Sequence, residues 1–89
     1  MNYTYRNDLH RELHSLLCAE AEKRDGRGLA WVEQERGVMC DAVNRHRARL
    51  GKKPVTMDDV EAVEQLAVGH VDYGTKFALY CTELVQERP

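Results

Sequence analysis

The sequence predicts an all-α fold: a small bundle of three long helices, the third broken near Gly69 into two. Three observations predict it. Apolar residues recur at steps of three and four along most of the chain, and no stretch alternates as a half-buried strand would. Polar capping residues precede the apolar runs, and glycine and proline gather in the gaps between them. The chain of 89 residues is long enough for one domain but not for a large core.

The first helix is expected over about residues 8–23, with Asn7 as its cap. Leu9, Leu13, Leu16 and Leu17 make its apolar face, and Arg11, Glu12, Glu22 and Lys23 its wet side. His10, His14 and Cys18 stand four apart, expected as half-wet border histidines and a core cysteine. Asp25-Gly26-Arg27-Gly28 reads as a turn. The second helix follows over about 29–50, with Val32, Met39, Val43, His46 and Leu50 in one seam. Arg36 fills the remaining seam position, where it either lays its methylenes on apolar neighbours or pairs with a carboxylate of another helix. Gly37, in mid-helix, suggests that another backbone comes close. Gly51 and Pro54 end the helix.

Val55-Thr56-Met57-Asp58-Asp59-Val60 has the form of a capping box with a hydrophobic staple. The apolar stripe that follows, Val60, Val63, Ala67, His70, Gly74, Phe77, Cys81 and Leu84, keeps its phase across Gly69. A continuous helix over 57–87 would be roughly 45 Å long. Two interior glycines would cost it about 2 kcal/mol, so a break is favoured, with helices over about 57–68 and 72–86. Gly69 then closes one helix and Asp72 caps the next.

Cys18, Cys40 and Cys81 lack the spacing of a metal or redox motif, and read as buried, reduced thiols. The N-terminus lacks the apolar run of a signal peptide, and no stretch is long and apolar enough for a membrane span, which suggests a cytoplasmic protein. The net charge of −2 conceals a split. Residues 1–54 hold eleven Lys/Arg against eight Asp/Glu, and residues 55–89 hold two against seven. Such a split either steers a partner or draws the two parts of one fold together, and the second is the simpler reading.

No catalytic residue, metal site or cofactor is expected. His10, His14 and Cys18 lack the remaining ligand pattern of a zinc site. His70 and Asp72 have no nucleophile beside them and suit helix caps better. Arg45, Arg47, Arg49, Lys52 and Lys53 form the one dense basic run and the candidate nucleic-acid contact. No aromatic residue is interleaved with it, and the chain is acidic overall. The last helix is apolar over much of its circumference, which suggests a homodimer using Tyr73, Tyr80 and Leu84. The functional expectation is a non-enzymatic cytoplasmic interaction module, an adaptor or regulator, with nucleic-acid association as the alternative and a metal protein or enzyme built on His70 and Asp72, or on His10, His14 and Cys18, as a distant third.

Overall fold

A computed structural model describes residues 4–23 and 29–87, the side chains of 29–31 and 87 excepted. Its described residues form four helices: α1 (Asp8–Glu22), α2 (Leu29–Arg49), α3 (Met57–Ala67) and α4 (Tyr73–Glu87). The all-α class holds, with four helices in place of three long ones, two of them produced by the break at Gly69. The expected turn at 25–28 lies outside the described residues.

The caps explain where the helices start. Asn7 accepts a hydrogen bond from the His10 backbone N–H at 2.9 Å. At α3 the capping box is complete: Thr56 and Asp59 each accept from the other's backbone N–H. Val55 and Val60, the staple pair, are both buried. The break after α3 is sharp. Gly69 adopts φ +91°, a left-handed conformation that ends a helix. The His70 backbone N–H then donates to Ala67 O at 3.1 Å. His70 thus closes the turn through its backbone. Asp72 precedes α4, its carbonyl accepting from Lys76 N–H at 3.0 Å. The longest principal extent is 36 Å, shorter than a continuous 57–87 helix would require.

The core joins all four helices: Leu13 and Leu17 of α1, Met39 and Val43 of α2, Val60 and Ala67 of α3, and Phe77, Cys81, Leu84 and Val85 of α4. α4 packs against each of the other three helices. Phe77, Ala78, Cys81, Leu84 and Val85 are thus covered within one chain, whereas Tyr73, Leu79 and Tyr80 are only partly buried.

Several side chains depart from expectation. His10 and His14 are buried rather than half wet, because they share the face of Leu13 and Leu17. Cys18 is exposed, while Cys40 and Cys81 are buried, and all three are free thiols. Leu50 is exposed, since α2 ends one residue before it. Gly37 meets no atom within 4 Å of an added Cβ, so no backbone closes on it among the described residues.

Candidate functional site

The basic run divides when traced onto α2 and the segment after it. Arg47 is 2% exposed. Its Nε donates to Lys53 O at 2.6 Å, and its Nη1 donates to Leu84 O at 2.9 Å. Lys52 Nζ donates to Val85 O at 3.1 Å and also to Gln86 O. Leu84, Val85 and Gln86 lie in the last turn of α4, where carbonyls have no intrahelical donor. Arg47 and Lys52 are therefore a C-terminal cap supplied by another element, with their charge at the negative pole of the helix. Arg45, Arg49 and Lys53 remain exposed. The five residues form no single surface.

The proposed self-association residues are also divided. Leu84 is 5% exposed and belongs to the core. Tyr73 is half-buried, and its hydroxyl donates to Glu64 Oε2 at 2.5 Å. Tyr80 is half-buried and packs against the core. No shared outward face gathers the three.

A set of buried polar groups runs through the bundle. Glu64 is 2% exposed and accepts from both Arg36 Nη1 at 3.0 Å and the Tyr73 hydroxyl. The second of the two roles open to Arg36 is the one it takes. Its guanidinium is held more firmly protonated, chiefly by that hydrogen bond. Burial, then the bond to Glu64, pushes the Tyr73 phenol well above its ordinary range, so the ring stays a neutral donor. Glu35 of α2 is likewise buried.

On α1 the histidines are held on both ring nitrogens. Arg6 N–H donates to His10 Nδ1 at 3.0 Å, so the ring proton sits on Nε2, which donates to Thr75 O at 3.2 Å. His14 Nδ1 lies 3.0 Å from the Tyr5 hydroxyl. Its Nε2 faces Thr75 Oγ1 at 3.3 Å and Cys18 Sγ at 3.7 Å. Burial first, and the neighbouring His10 second, lower the His14 pKa from its ordinary value.

Two concavities border these groups. A cavity of about 160 Å³ between α1, α2 and α4 is walled by His14, Leu17, Cys18, Glu35, Tyr73 and Gly74, among others. Here titratable groups converge on a partly enclosed space. A wider groove of about 310 Å³ lies near the α2 end, where His46 Nε2 is 3.5 Å from Glu12 Oε1 and Arg49 and Leu50 form one edge. No group of three or more His, Cys, Asp or Glu side chains with metal-binding geometry occurs among the described residues. No described helix is long and apolar enough to cross a membrane.

Sequence reasoning missed the cap role of Arg47 and the acceptor role of Glu64. Both carry a signal in hindsight. Arg47 keeps helical phase with buried Cys40 and Val43, and Glu64 with buried Val60 and Ala67. Asn44 was missed as well: its side chain accepts from Val55 N–H at 2.7 Å and donates to Val55 O at 3.0 Å, pinning the segment before α3. No protein-family model matches this chain, and no match was found among curated proteins or solved structures.

Proposed function

We propose that this chain is a non-enzymatic interaction module that forms a homodimer through the corner between α3 and α4. One observation carries the reading. Leu66 and Val68 are 59% and 56% exposed, and Val71 beside them is fully exposed. The stretch Gln65-Leu66-Ala67-Val68-Gly69-His70-Val71 contains no Asp, Glu, Lys or Arg, in a chain that is 31% charged. Depletion of charge around exposed aliphatic groups is the composition of an interface centre. A second copy suits it because an uncharged apolar patch meets its own image across a two-fold axis without like-charge opposition. The contact face thus moves off Tyr80 and Leu84 and onto the corner. As a cytoplasmic adaptor or regulator, such a module would present the remaining surface twice.

Mass measured by light scattering during gel filtration, over a range of concentrations and at two salt concentrations, tests this. A dimer little affected by salt is expected, and Val71→Asp is expected to give a folded monomer. Wild-type protein that stays monomeric throughout refutes the reading, as does an unchanged dimer of Val71→Asp.

A second reading is favoured by the exposure of Arg45, Arg49 and Lys53. These three side chains would contact phosphates, with log K falling against log salt at a slope of about −3. Binding that survives Arg45→Gln, Arg49→Gln and Lys53→Gln together rules out this segment.

A further inference from the structure

The three cysteines are not equivalent. Cys40 and Cys81 are buried, and burial is the main cause that pushes both thiols up, furthest at Cys81. Such thiols are poor nucleophiles. Cys18 is exposed, stands at the wall of the 160 Å³ cavity, and has His14 Nε2 at 3.7 Å. A nucleophile, a base within reach, a third group orienting the base and a space for the reagent are all in one place.

We propose that Cys18 is a site of thiol–disulfide exchange, with His14 taking the thiol proton and the adjacent cavity seating one half of a small, uncharged disulfide. This requires the tautomer with the ring proton on Nδ1, donated to the Tyr5 hydroxyl oxygen at 3.0 Å, so that Nε2 is the acceptor shared by Thr75 Oγ1 at 3.3 Å and Cys18 Sγ at 3.7 Å. The lowered pKa of His14 keeps the ring uncharged near neutral pH, so it accepts the thiol proton only transiently. Tyr5, His10 and Cys18 face this ring from the α1 side, Glu35 lines the shared cavity from α2, and Tyr73 and Thr75 belong to the α4 side. The cavity wall joins apolar Leu17 and Ala21 to the buried carboxyl of Glu35, a lining that suits a neutral organic group better than a charged one.

The step balances. Cys18 S–H gives its proton to His14 Nε2 as the sulfur attacks one sulfur of the disulfide. The S–S bond of the reagent breaks, and the Cys18–sulfur bond of a mixed disulfide forms. The departing thiolate takes the proton back from His14 and leaves as a thiol. Cys18 is oxidised and half of the reagent is reduced, so no other oxidant is required.

The test uses bis(2-hydroxyethyl) disulfide as the probe, with intact mass and peptide mapping as the readout. A single adduct at Cys18 is expected, forming about tenfold faster at pH 7 than with N-acetylcysteine amide, a modest gain for a positioned base. His14→Gln is expected to bring the rate down to that of the free thiol. Because His14 is buried and its replacement can unfold the chain, Tyr5→Phe is measured too. It keeps the imidazole and removes the oxygen that holds Nδ1, and a fall of about threefold is expected. A folded wild-type rate at or below the free-thiol rate overturns the proposal. So does first reaction at Cys40 or Cys81, or variants that react as fast as wild type.

Discussion

Replacing Arg47 by methionine separates a structural arginine from a surface one. The methionine keeps most of the buried aliphatic volume and removes the guanidinium, which donates to Lys53 O at 2.6 Å and to Leu84 O at 2.9 Å. The two carbonyls have different fates. Lys53 is exposed, so its oxygen regains water and the loss there is about 0.5–1 kcal/mol. Leu84 is 5% exposed, and its carbonyl, at the end of α4, is left without a donor at a cost of about 1.5–2 kcal/mol. The expected destabilisation is therefore about 2–3 kcal/mol. With an m-value near 1.2 kcal/mol/M, urea denaturation followed by helical circular dichroism would show the midpoint falling by about 2 M. Arg45→Met and Arg49→Met, at exposed positions of the same run, are expected within about 0.5 kcal/mol of wild type. If Arg47→Met unfolds at the same urea concentration as Arg45→Met, Arg47 does not act as the cap of α4.

The other buried groups make comparable predictions. Glu64→Ala leaves the Arg36 guanidinium and the Tyr73 hydroxyl without their shared carboxylate, and is expected to cost about 3–5 kcal/mol. Tyr73→Phe is expected to cost only about 1–2 kcal/mol, both measured by the same urea titration. His14 binds its proton less readily folded than unfolded, so its contribution to stability is complete above about pH 6.5 and is lost as pH falls through its lower folded pKa. Unfolding free energy is expected to drop from pH 7 to pH 5 at no more than about 1.4 kcal/mol per pH unit from this group, and His14→Gln should flatten that part of the profile. Gly37→Ala, with open space around the new Cβ, is expected to stabilise α2 by about 0.5–1 kcal/mol, whereas Gly69→Ala is expected to cost about 1 kcal/mol because φ there is +91°. Thermal midpoints that move the same way for both glycines would contradict this.

The helical class, the caps at Asn7 and Thr56, and the break at Gly69 were legible because each rests on local chemistry. A cap depends on residues within one turn, and a left-handed glycine on a single φ. Apart from the pairing open to Arg36, the polar interior was not read. His10 and His14 lie in phase with Leu13 and Leu17, and Arg47 with Cys40 and Val43. Glu35 lies in phase with Met39 and Ala42, and Glu64 with Val60 and Ala67. In each case the helical period placed the residue on the buried face while its side-chain type argued for solvent. The period was the better guide. The partner that makes such burial tolerable lies 28 residues away for Arg36 with Glu64, and 37 for Arg47 with Leu84, beyond what local pattern can show.

The charge split between the two parts of the chain has a structural use that follows from these pairs. Arg6 pairs with Glu83, Arg36 with Glu64, and Arg47 and Lys52 reach the last carbonyls of α4. All four cations come from the positive part, and these partners come from the negative part, although Arg47 also donates to Lys53 O within its own part. The Arg6 pair is largely exposed and contributes little on its own. The buried acceptors differ, because a helix displaced by one turn would leave Glu64 or the α4 carbonyls desolvated and unpaired. Apolar packing alone tolerates such sliding, since α4 is apolar over much of its circumference. The polar contacts at its Tyr73 end and at its Leu84–Gln86 end do not. The two sets fix the position and rotation of the central helix from both ends. The net effect of the asymmetry is to select one register of α4 within the bundle, and it leaves Arg45, Arg49 and Lys53 as the exposed remainder of the basic run.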